Sequence, residues 1–122
     1  MTCPSPREKR TSFRFNKVFL VRVRTEDFAE ITAVARNISE GGMLIETPAS
    51  IGLGTTVEVR FQMPDGDESI VAVAEVKNHY AFNFYANGRA RWARGLGVRF
   101  LEFLSDGGEV LRESLTRIRT LH

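Results

Sequence analysis

The stretch Asn37-Ile38-Ser39-Glu40-Gly41-Gly42 places two small hydrogen-bonding side chains and two adjacent glycines within six positions. Asn and Ser can each bond the edge of a ligand or close a turn on their own backbone. A glycine pair leaves room for something to approach the main chain closely. Taken alone, the stretch reads as an ordinary turn between strands. Upstream stand Arg10 and Arg14, and guanidinium forks bind phosphate in bidentate fashion, stack on bases and read the O6/N7 edge of guanine. Together the two clusters suit a small, multiply anionic ligand that contains a purine.

The clusters meet only if the chain between them folds back. Residues 18–24 end in alternating Val and Arg, the period-2 signature of a half-buried strand. Thr25-Glu26-Asp27 supplies a turn, and residues 30–36 supply a second strand that runs into Asn37. Pairing about residue 27 sets Asn37 opposite about residue 17. Arg14 then lies roughly 10 Å from the turn, at ~3.3 Å per extended residue.

Further strands are expected over 42–47, 56–62, 69–77 and 95–101, with Pro64-Asp65-Gly66 as a strong turn. Residues 80–93 read as irregular, with a hairpin turn at Asn87-Gly88. Only the tail changes period: Val110, Leu111, Leu115 and Ile118 predict a helix over about 106–119, capped by Ser105 or Asp106. Gly107 and Gly108 weaken its first turn. Arg117 and Arg119 suit its negative end. Six short strands joined mostly by short turns predict an all-β protein, a small six-stranded antiparallel β-barrel with a C-terminal α-helix. Residues 1–9, with Pro4 and Pro6, read as a flexible arm, and 10–122 as one domain.

Composition narrows the classes. At 122 residues the chain can bury a core without disulfides or metal. Its single Cys3 has no internal partner, and there is neither an apolar signal region nor an apolar run near the ~18 residues that cross a bilayer. A cytoplasmic protein without membrane insertion is expected. Net charge is +2, but residues 77–99 carry five Lys/Arg and no acid, and residues 1–24 carry seven against Glu8 alone. Catalytic templates fail. The histidines are His79 and His122, no His/Cys cluster has metal-ligand spacing, and no phosphate loop is present. No enzyme activity, metal or cofactor is expected. Arg89, Arg91 and Arg94 around Trp92, with Phe82, Phe84 and Tyr85, form a basic-aromatic set that could stack bases. The alternative, aromatics packing that loop onto the barrel, is the one expected here, which makes nucleic acid an unfavoured partner.

Arg10-x-x-x-Arg14, followed after one strand pair by Asn37-x-Ser39-x-x-Gly42, resembles the signature of PilZ domains, bacterial receptors for cyclic di-GMP. The Gly-Met-Leu-Ile run after the second motif and the late Gly95-Leu-Gly-Val-Arg-Phe100 strand resemble the family too, and the similarity covers about residues 7–119. It implies a split-barrel fold in which Arg10 and Arg14 grip phosphates and the guanine Hoogsteen edges. Asn37 and Ser39 would meet a guanine from the other side, with Gly41 beside them and Gly42 keeping the floor open. Lys9 occupies a position implicated in whether one ligand or an intercalated pair is bound. The expected function is that of a cyclic di-GMP receptor whose N-terminal arm orders on binding and signals to a separate, unidentified protein in motility or biofilm regulation. The alternatives are an adaptor of the same fold that works by protein contacts without nucleotide, or a small nucleic-acid-binding barrel.

Overall fold

A computed structural model describes residues 13–27 and 29–121. The arm over 1–9, Lys9, Arg10 and Cys3 lie outside the described residues. Six strands and one helix follow in order: β1 (Phe19–Arg24), β2 (Glu30–Ile38), β3 (Gly42–Glu46), β4 (Thr56–Gln62), β5 (Ser69–Ala86), β6 (Arg89–Phe103) and α1 (Gly107–Leu121). The strands close into a barrel in the order β1-β2-β3-β6-β5-β4, each ladder antiparallel. The expected six-stranded barrel with a C-terminal helix is the one found.

The alternation seen in the sequence is what fills the barrel. Val21 and Val23 from β1, Val57, Val59 and Phe61 from β4, and Ile70, Ala72, Ala74 and Val76 from β5 all turn inward and are buried. Their neighbours, such as Arg22 and Arg60, stay exposed. Phe19, Phe61, Phe100 and Phe103 form a chain of rings with successive centroids 6.0, 6.3 and 5.0 Å apart.

Helix α1 closes one end of the barrel, burying Leu111, Leu115 and Ile118. The two glycines at its start serve close packing: a Cβ at Gly107 would stand 3.3 Å from Ile70 Cγ2, and one at Gly108 would stand 3.2 Å from Phe103 Cδ2. Asp65, in the β4–β5 turn, fastens the helix by accepting from the buried Ser114 hydroxyl (2.5 Å) and from Arg117 Nε (3.2 Å).

One expectation is corrected. Residues 80–93 are not irregular: β5 and β6 run on as a continuous ladder to the Asn87-Gly88 turn, pairing Tyr80 with Gly95 and Ala86 with Arg89. Asn87 and Gly88 both take positive φ, 54° and 74°, as the expected two-residue hairpin requires. Nor do Tyr85 and Trp92 of this segment pack onto the barrel, being 81% and 72% exposed. His79 has a structural task at the base of the hairpin, where its Nε2 bonds the carbonyl of Ile51 at 2.7 Å.

Ile45, fully buried at the middle of β3, reports on the core. Ile45→Ala is expected to cost about 2–5 kcal/mol, read as a lower urea midpoint with an unchanged slope.

Candidate functional site

The site begins with a bridge outside the regular strands. Phe15 and Ile38 exchange both backbone hydrogen bonds, at 2.8 and 3.0 Å, and both side chains are buried. That bridge lays the segment before β1 alongside the end of β2. Arg14, next to Phe15, is thereby set beside Asn37, and its Nη1 donates to Asn37 Oδ1. The β1–β2 register, Phe19 opposite Ala35, continues to the expected pairing of Asn37 with about residue 17. Arg14 nevertheless comes closer than one hairpin alone would deliver. The ladder of β2 with β3 shifts between Ala35 and Asn37, and the bridge draws residue 15 against residue 38.

Beyond Ile38 the chain turns tightly. Ser39 N–H donates to the Gly42 carbonyl at 2.9 Å, and Gly41 N–H donates to Ser39 Oγ at 3.3 Å. Ser39 is buried, so its hydroxyl shapes the turn. Glu40 points away, its Oε1 3.6 Å from Arg112 Nε on α1.

The two glycines differ. A Cβ at Gly42 would lie 2.1 Å from the Val98 carbonyl oxygen, whereas one at Gly41 would meet nothing within 4 Å. Gly42 is therefore demanded by the close approach of β3 to β6, and the open space expected at this motif lies over Gly41. Neither takes a positive φ.

Asn37 faces Leu44, Leu44 faces Gly97 and Gly97 faces Asn78. These four residues form one row across β2, β3, β6 and β5. At ~4.8 Å per strand the row is about 14 Å wide. It floors an open cleft of about 510 Å³ whose rim includes Arg14, Ser39, Gly41, Lys77, Tyr80 and Arg99. The Tyr80 ring lies across Gly97, where a Cβ would stand 2.8 Å from its Cε2. Among the described residues the cleft lining holds three cations and no carboxylate; Arg99 is 3.9 Å from Glu75 beside it.

Of the residues singled out in the sequence, Arg14, Asn37, Ser39, Gly41 and Gly42 meet at this cleft; Arg10 and Lys9 lie outside the described residues. Lys77, Asn78, Tyr80 and Arg99 form a far wall that sequence reasoning missed. Its local signal was faint: a register shift between Val76 and Asn78 turns these side chains, and no motif marks it. Among the described residues, no group of His, Cys, Asp and Glu could hold a metal ion.

The glycines allow a sharp separation. Gly42→Ala is expected to lower stability by about 1–3 kcal/mol through overpacking, with or without ligand. Gly41→Ala should change it by less than about 0.5 kcal/mol. Thermal unfolding of the two variants checks both.

The model of the PilZ domain family matches residues 8–117. Solved structures that share the fold include the following three. The first is the Bacillus subtilis inhibitor of motility MotI/DgrA, at 18% identity and TM-score 0.70, covering 99% of this chain and 53% of that one. MrkH, described as a cyclic di-GMP-dependent transcription regulatory factor, is 17% identical with TM-score 0.72 and covers 89% of this chain and 50% of that one. The PilZ domain of Escherichia coli YcgR, solved with cyclic di-GMP, is 19% identical with TM-score 0.63 and covers 90% and 88%. The chain thus spans about half the length of the first two. A search of curated proteins returned no match. The chain belongs to the PilZ domain family.

Proposed function

We propose that this PilZ domain is a receptor for cyclic di-GMP that signals to a separate protein. The observation that carries the reading is the cleft itself: Arg14, Lys77 and Arg99 surround a sheet floor with Asn37 and Asn78 at its two ends, and among the described residues no carboxylate lines it. A ligand with two phosphates finds cations on both sides there, in a space whose volume falls in the usual range for small-molecule sites.

Each side chain has a distinct task in this reading. Arg14 offers guanidinium N–H groups to a phosphate or to the O6/N7 edge of guanine while Asn37 Oδ1 steadies the fork. The Asn37 amide N–H₂ can donate to a second acceptor. Gly41 leaves the main chain bare where a base edge approaches. Ser39 contributes by holding the turn. Tyr80, half-exposed over Gly97, offers a ring face for stacking on a base. Arg10 and Lys9 would join from the N-terminal arm, ordering it over the ligand. The solved YcgR domain with cyclic di-GMP supports the ligand class. MotI, described as an inhibitor of motility, and MrkH, described as a transcription regulatory factor, support a signalling role. No catalytic step is assigned, and the reading puts the protein in the cytoplasm.

Arg14→Ala should weaken cyclic di-GMP binding ten- to hundredfold, about 1.5–3 kcal/mol for a lost charged hydrogen-bond partner, as measured by calorimetric titration. Arg14 is exposed, so the variant should fold. Unchanged affinity would remove Arg14 from the site. Failure of the unaltered chain to bind would instead favour an adaptor that works through protein contacts alone.

A further inference from the structure

Beyond the barrel rim, where Thr47 N–H still donates to the Arg94 carbonyl at 3.0 Å, β5 and β6 pair only with each other among the described residues. The β4 ladder on β5 ends at Glu75, and the β3 ladder on β6 begins at Gly95. Residues 82–86 and their partners therefore form a free two-stranded ribbon, about 17 Å long at ~3.3 Å per residue, with Arg94 at its base. It leaves the barrel at the end opposite α1, because α1 packs on the start of β5 and the end of β6. Cross-strand pairing sorts its side chains. One face carries Tyr80, Phe84, Arg89 and Arg91, and the other carries Tyr85, Trp92 and Arg94. All are exposed, and no acid occurs anywhere from 77 to 99.

We infer that this ribbon is a peripheral docking element for an anionic lipid surface, seated at headgroup depth. Three observations select that partner. Charge is complementary, with Arg89, Arg91 and Arg94 on a segment free of carboxylates. The aromatic types are those that settle where one end of a side chain is apolar and the other wet, and arginine stems lie along such a boundary with the charge in water. Aromatics also stand on both faces of the ribbon. A single nucleic-acid strand or a flat protein surface would cover one face only, whereas a headgroup layer surrounds both. The ribbon's open edges set the depth, because their unpaired N–H and C=O groups need water and stay out of the hydrocarbon. Leu53, 62% exposed in the uncharged 48–55 loop beside the ribbon's base, extends the apolar contact. The inference goes beyond the nucleotide reading and stands without it.

Trp92 is the single tryptophan of the chain, so its fluorescence reports on the ribbon directly. The full chain is titrated with vesicles of phosphatidylcholine alone, and with vesicles containing roughly one-third phosphatidylglycerol. The expected result is a blue shift of Trp92 emission and co-sedimentation with the anionic vesicles only, weakened by salt. Arg89→Ala with Arg91→Ala should weaken co-sedimentation about twenty-fivefold, at roughly fivefold per basic residue. Trp92→Ala should weaken it as well. All of these residues are exposed and none lines the cleft, so the thermal unfolding midpoints of the same variants are expected to be unchanged, which confirms that they fold. Absence of binding to the anionic vesicles, or equal binding to neutral ones, overturns the assignment. So does an equal blue shift produced without lipid, whether by a single-stranded oligothymidine, which would make the ribbon a nucleic-acid element, or by concentrating the protein, which would make it a self-association surface.

Discussion

The structure depends on how closely β3 approaches β6. The carbonyl of Val98 occupies the place where a side chain at position 42 would be, and only a residue without Cβ lets that seam close. Closing it removes the exposed sheet edges that a curled six-stranded sheet would otherwise present. It also brings Leu44 opposite Gly97, which aligns the floor of the cleft. Barrel closure and cleft formation are thus one event at this seam, and Gly42 is required by the fold whatever the cleft holds.

Electrostatic sorting follows from the same geometry. Among the described residues, two acids beside the cleft are engaged to one side, Glu75 with Arg99 and Glu40 with Arg112 of the helix. What remains facing the cleft is cationic and amide in character, a field that concentrates anions. Arg14 is brought there by backbone pairing at Phe15 and Ile38 and held by the Asn37 amide. Its side chain therefore loses less freedom on meeting a phosphate than one swinging free in solvent.

Much of this was legible in the sequence, for identifiable reasons. Val21, Val23, Val57, Val59 and Phe61 alternate with polar neighbours because one face of each strand is buried and the other wet. The register that puts Asn37 near residue 17 followed from one turn. The β5–β6 ribbon was misread because it lacks that contrast: with both faces exposed and aromatic, strand alternation produces no polar-apolar pattern to read. Lys77, Asn78, Tyr80 and Arg99 were missed because their place at the cleft depends on a register shift and on pairing between strands distant in sequence. The short bridge at Phe15 is likewise invisible to periodicity, since a single pair has no period.

The turn between β2 and β3 assigns successive residues to opposite surfaces. Ser39 and Gly41 look into the cleft, while Glu40 between them looks toward the helix. Its order is therefore a matter of sides. A carboxylate carried from position 40 to position 41 would stand among the cations, offset one of them and cover the bare backbone. The order of these residues therefore matters as much as their presence.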